Sequence, residues 1–238
     1  FVERTENEWP IKRTKWKKQY LDTAHMTLEP KAPARRGKVT YAGMGDGVTF
    51  FLPPMDEDTE ITGPLASKLF VSSATADADL FLVVRLFSPD MKEITFKGTV
   101  DPHTPIAQGW LRASHRKLDP KMSKPWRPWH SHDEKQPLKP GQVYELDIEI
   151  WPTCIVVPAG YRLALSVRGK DYEYSGGALE LSNFAHPLNG CGPFLHDFPR
   201  DRPKKIFGGD VTLHAGPKHQ SYVMLPVIPA KKKASKKK

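Results

Sequence analysis

From Val143 to Trp151, the apolar residues Tyr144, Leu146, Ile148 and Ile150 alternate with Glu145, Asp147 and Glu149. A period of two puts the apolar set on one face of a β-strand and the carboxylates on the other. Tyr161–Arg168 repeats the pattern, with Leu163, Leu165 and Val167 set against Arg162, Ser166 and Arg168. Turn sequences lead into both: Lys139-Pro140-Gly141 and Pro158-Ala159-Gly160. Further strands are predicted at Leu65–Val71, Leu80–Phe87, Ile94–Val100, Gly109–His115, Val211–His214 and Tyr222–Leu225. Gly63-Pro64 reads as the turn into the first of these, and Asp77-Ala78-Asp79 as a corner. No stretch keeps a helical period over several turns. Such spacing predicts an all-β fold, an antiparallel sandwich of about eight strands or more.

Two long irregular insertions interrupt the pattern. One, Lys117–Lys139, carries Trp126, Trp129, His130 and His132; the other, Gly169–Gly209, carries Tyr172, Tyr174, Phe184, His186 and Phe194. Long loops on a sandwich are where binding usually resides. The first 38 residues mix charge with Trp9, Trp16 and Tyr20 and read as extended chain lying on a neighbouring surface. Lys31–Gly37 reads as an exposed linker. The expected division is a lead-in over 1–55, a sandwich over 56–229 and a disordered basic tail over 230–238.

The 23 prolines and 17 glycines among 238 residues agree with many turns and few helices. The net charge of +9 suggests nucleic acid only until it is located. Six lysines lie in the last eight residues, residues 1–38 carry +5, and residues 39–229 carry −2. A nearly neutral body with basic ends disfavours a nucleic-acid reader. Cys154 and Cys191 have no zinc or disulfide-framework spacing and are expected to be reduced thiols in a cytoplasmic protein. No apolar run reaches the roughly 18 residues needed for a membrane span.

Candidate chemistry is sparse. No G-x-S-x-G elbow occurs, so the nucleophile of an α/β-hydrolase has no place to sit. His130-Ser131-His132 puts two imidazoles on one face of an extended strand, but no third ligand stands at a diagnostic spacing, and neither a metal nor a cofactor is expected. Gly43-Met44-Gly45-Asp46-Gly47 lacks the Lys-Ser/Thr pair and the following helix of a phosphate loop and reads as a flexible turn. Arg112 and Arg116 share a predicted strand with His115, and either arginine is positioned to pair with Asp79 as a structural brace. Trp126, Trp129 and Tyr174 suit either sugar stacking or a domain interface.

Several segments together resemble a known family: ITGPLASKLFVSS (61–73), ATADADLFLVVRLFSPD (74–90), GWLRASHRKLDP (109–120), LKPGQVYELDIEIWPT (138–153), VPAGYRLALSV (157–167) and HAGPKHQSYVMLPVIP (214–229). In order, they resemble the C-terminal domain of the X-prolyl dipeptidyl-peptidase and cocaine-esterase-like serine hydrolases. NEWPIKRTKWKKQYL (7–21) is similar to the segment by which that family leaves its hydrolase domain. The resemblance implies a jelly-roll sandwich of the galactose-binding-like kind, packed on an α/β-hydrolase domain that holds the whole Ser-Asp-His triad. No catalytic residue carries over. It also implies that the segment before Ile61, here Val39–Phe51, helps wall the acyl pocket. Tyr41, Met44, Trp126, Trp129 and His130 are therefore the expected pocket or interface residues. Ala78 inside the Asp-x-Asp corner and Met91, where the family has glycine, depart from the pattern. The implied partner is a hydrolase domain in cis or in trans, with homo-oligomerisation allowed. A carbohydrate-binding module is the alternative.

Overall fold

The alternating segments assemble into two facing layers of antiparallel strands. The structure, a computed structural model, describes residues 3–177, 186–192 and 195–229; the expected tail over 230–238 and the loop aromatics Phe184 and Phe194 lie outside the described residues. The strands are β1 (Lys15–Asp22), β2 (Thr27–Glu29), β3 (Gly37–Ala42), β4 (Val48–Phe51), β5 (Thr59–Ser73), β6 (Asp79–Phe87), β7 (Glu93–Ile94), β8 (Ala107–Arg112), β9 (Tyr144–Val157), β10 (Arg162–Arg168), β11 (Asp210–Ala215) and β12 (Tyr222–Ile228). A single four-residue helix, α1 (Lys204–Phe207), accompanies them among the described residues.

Hydrogen bonds link the strands in the order β3-β11-β5-β12-β1-β2-β4-β10-β6-β7, with β9 on the other edge of β5 and β8 on β6. The path crosses from one layer to the other where β1 hands over to β2 and β4. Between the layers, Leu65, Leu69, Leu146, Ile148 and Ile150 meet Leu80, Leu82, Val84, Leu163, Leu165 and Val167, all buried. Each such side chain contributes roughly 1.5–3 kcal/mol by leaving water.

On the far side, β8 closes against β9. A Cβ on Gly109 would stand 2.1 Å from the Glu149 carbonyl oxygen and 2.9 Å from the Ile150 Cα. Only glycine lets the two backbones approach this closely. Gly109→Ala is expected to cost roughly 1–3 kcal/mol by overpacking. Gly177→Ala, whose Cβ would meet nothing within 4 Å, serves as the control, and thermal melts followed by circular dichroism compare the two.

Four findings differ from the sequence reading. Gly63-Pro64 lies in the middle of β5 rather than at a turn. The register of β5 shifts there against both neighbours, and β9 and β12 bring Pro152 and Pro226 to the same level. Prolines donate nothing to a ladder, so all three sit where the ladder is already broken. Gly63 takes φ +145°, with Pro226 2.9 Å from a would-be Cβ.

The segment 1–55 supplies β1 to β4. Its Leu21 and Leu28 are fully buried, so this lead-in adds to the sandwich's own sheet and core. The strand expected at Ile94–Val100 shrinks to the two-residue β7, because the chain turns at Gly98, whose N–H donates to the Asp101 carbonyl. The strand expected to reach His115 stops at Arg112, and Ala113–His115 form a 3₁₀ turn. Asp77 causes that stop: its carboxylate accepts the backbone N–H groups of Ala78 and Ser114.

Met91 adopts φ +63°. This left-handed conformation favours glycine and costs an L-residue roughly 1–2 kcal/mol.

Candidate functional site

Alternation puts Trp110 and Arg112 on the outward face of β8, and Glu149 and Trp151 on the outward face of β9. Because β8 and β9 are in backbone contact at Gly109, these two rows form one floor. Trp110 and Trp151 meet edge to face with ring centroids 5.1 Å apart. The loop after β8 brings up Pro128, Trp129, His130 and His132, and the segment before α1 brings up His196, Asp201 and Arg202. Together they enclose an open cavity of about 610 Å³.

A charge network forms one wall. Asp79, nearly buried, accepts Arg112 Nε at 2.8 Å and a second Arg112 nitrogen at 3.0 Å, and its Oδ2 also accepts Arg202 Nε at 2.8 Å. Arg112 reaches Asp201 with both terminal nitrogens, at 3.0 and 2.8 Å. Arg202 donates its other nitrogens to the carbonyls of His196 and Gly169. The Arg112 guanidinium therefore holds the Asp201 carboxyl below its ordinary range, and Asp79 holds Arg112 charged.

His196 Nδ1 lies 2.8 Å from Asp171 Oδ1, and that bond raises the imidazole above its ordinary value. Burial depresses His130 and raises the Glu149 carboxyl.

The candidates from the sequence separate into groups. Trp129, His130, Arg112 and Asp79 line the cavity. Arg116 turns away from Asp79; it donates to the carbonyls of Ala113 and Gln136 and lies over the Tyr144 ring. Trp126 stacks on Trp16 of β1, with centroids 5.8 Å apart, and anchors its loop to the domain itself. Tyr41 is buried in the core, and its hydroxyl lacks a hydrogen-bond partner among the described residues. Met44 sits half-buried in the turn between β3 and β4, and that turn packs on Gly169 at the end of β10.

Tyr172, expected within a binding loop, is fully buried, and its hydroxyl donates to Glu93 Oε1 at 2.8 Å. His115 and His132 approach at 3.2 Å through their Nδ1 atoms, and no cluster of three or more His, Cys, Asp or Glu is arranged for a metal among the described residues. Sequence reasoning missed Trp110, Glu149, Trp151, His196, Asp201 and Arg202. Alternation already put the first three on outward faces; nothing local signals that the last three fold back onto them.

Among the described residues, no hydroxyl or thiol bonds an imidazole that a carboxylate also holds. The fold is an all-β jelly-roll sandwich with this cavity on one face. Residues 2–224 match the X-Pro dipeptidyl-peptidase C-terminal non-catalytic domain, and the chain belongs to that family.

It is 26% identical over 221 residues to a Mycobacterium bovis protein whose name places it among serine esterases; the match covers 91% of this chain and 28% of that protein. The cocaine esterase of a Rhodococcus species is 21% identical over 176 residues, covering 73% of this chain and 24% of that enzyme. A solved CocE/NonD family hydrolase from Staphylococcus aureus superimposes with a TM-score of 0.79 at 23% identity, covering 94% of this chain and 39% of that one. The chain thus spans about a quarter to two-fifths of the length of these relatives. They lend no support to the carbohydrate-binding alternative. Among the described residues, no helix is long and apolar enough to cross a membrane.

Proposed function

We propose that this domain serves a serine hydrolase of the X-prolyl dipeptidyl-peptidase or acyl-esterase type, packed on an α/β-hydrolase catalytic domain in cis or in trans. The observation that carries the reading is the family match over residues 2–224 in a chain that spans only 28% of an esterase relative. The catalytic domain would supply the acyl-serine chemistry and its oxyanion hole. This domain would exclude water and fix the geometry of one side of the pocket. Residues 7–21 are the entry from the catalytic domain. The Trp126–His130 loop and the Met44 turn are the surfaces offered to it, and Tyr41 supports that turn from the core. Two unpaired thiols support a reducing, cytoplasmic setting.

The coding sequence on the 5′ side of Phe1 tests this directly. An in-frame G-x-S-x-G elbow followed by Asp and His supports the reading. A start codon immediately before Phe1, with no hydrolase that binds the chain, overturns it. The pure chain is expected to hydrolyse 4-nitrophenyl butyrate no faster than buffer. Turnover above that background that persists through repeated purification would contradict the assignment.

A further inference from the structure

The cavity between β8 and β9 has one carboxylate outside its ion-pair network. Asp79 and Asp201 are taken up by Arg112 and Arg202, and His196 is taken up by Asp171. Glu149 has neither a hydrogen bond nor an ion pair among the described residues. The charge that acts on it is Arg127, whose guanidinium lies over the rings of Trp126 and Trp129, 5.8 and 5.6 Å from their centroids. Glu149 stands two residues from Trp151 on the same face of β9, and Trp110 meets Trp151 from β8. Trp129 closes the third side at 44% exposure, and Trp151 is 62% exposed. Three indoles of one cavity therefore stand beside a carboxylate that has Arg127 near it but no ion-pair or hydrogen-bond partner among the described residues.

Indole faces attract cations through the ring quadrupole, most strongly where water is partly excluded. An unpaired carboxylate at partial burial is in a costly state that an incoming positive charge relieves. The burial that raises the Glu149 carboxyl above its usual range reflects the same desolvation. A volume of about 610 Å³ suits a small molecule. Anions are repelled by Glu149. A sugar would need several free hydrogen-bonding groups, and the other charged groups of the wall are already engaged.

We propose that this cavity binds a small organic cation, a quaternary ammonium or alkylguanidinium group, seated against Trp110, Trp129 and Trp151 with its charge facing Glu149. The cavity shares Trp129 and His130 with the loop offered above to a catalytic domain, but its test uses this chain alone, so it fails or succeeds separately from that reading.

Titration of the full 238-residue chain with choline tests it, followed by tryptophan fluorescence and calorimetry. The neutral isostere 3,3-dimethylbutan-1-ol is the reference, since it keeps the shape and lacks the charge. Saturable choline binding is expected, with the isostere about ten-fold weaker, the scale of a desolvated cation–π contact. Glu149→Gln is expected to weaken choline about ten-fold and leave the isostere unchanged, because the amide keeps the shape and removes the charge. Trp151→Ala weakens choline, whereas Val156→Ala, beyond the bulge on the same strand, does not. Thermal melts of each variant confirm that folding is retained. Equal binding of choline and its isostere overturns the proposal, as does unchanged choline affinity in Glu149→Gln. So does the absence of saturation at roughly 100 mM, where a millimolar site would be full.

Discussion

Asp79→Asn is expected to destabilise the domain by about 3–5 kcal/mol, the cost of breaking a buried ion pair by removing one partner. Asp79 is 7% exposed and Arg202 is 4% exposed, so the Arg202 guanidinium does not find water easily. The amide keeps the shape of the carboxylate but offers a donor where two arginines already donate. Arg202 is left charged and buried on one side, and Arg112 keeps only its outer partner Asp201. In a chain of this size each kcal/mol shifts the melting temperature by roughly 2–4 °C, so a fall of about 6–20 °C is expected. Adding Arg202→Gln to Asp79→Asn should restore part of the loss, because it removes the stranded charge. Asp201→Asn is the contrast. Its side chain is 60% exposed, and an exposed partner of this kind is worth less than about 1 kcal/mol. Chemical denaturation of the parent and these three variants measures all of this, and an Asp79→Asn variant as stable as the parent would show that the node is not a brace.

Tyr172→Ala should cost about as much, roughly 3–5 kcal/mol, by emptying a large buried site. The ring is fully buried and packs on Gly190, where a Cβ would stand 2.3 Å from its Cε1. Its hydroxyl donates to Glu93, which also accepts Arg85 Nε at 2.8 Å. This residue pins the segment after β10 over the outer face of β6. Further along the same stretch, Arg202 and His196 lie against Phe81, which points away from the core between the layers yet is buried. Tyr172→Phe keeps the packing and removes one hydrogen bond, a change of about 1 kcal/mol. Limited proteolysis should cut Tyr172→Ala between residues 169 and 192 faster than Tyr172→Phe. Equal stability and equal cleavage of the two would contradict a packing role.

The elements with a clean two-residue period were legible beforehand. β9 and β10 have one face in the core and one face outward, and that difference is written residue by residue. β6 was legible as a run of apolar residues, but its outer cover came from a loop about 90 residues later. β1 was obscured by charge: Lys15, Lys17 and Lys18 mask a strand whose inward residues become clear only beside β12. Of the site, Asp79 with Arg112 was visible because a short acidic corner precedes an arginine-bearing strand. Arg202 was invisible because nothing in its own neighbourhood, Pro199 to Pro203, indicates which carboxylate it will meet.

By itself the sequence determined the all-β class, the turns, the inward and outward faces of the central strands and membership of a hydrolase-associated family. These follow from local period and from ordered motifs, which need no knowledge of distant contacts. Only the tertiary structure decided that residues 15–51 supply four strands of the same sheet, that Tyr172 is core and that three tryptophans line one cavity with Glu149. Those outcomes depend on which strand edges and loops meet across long stretches of chain, and closure of β8 on β9 through a single glycine is what brings them together.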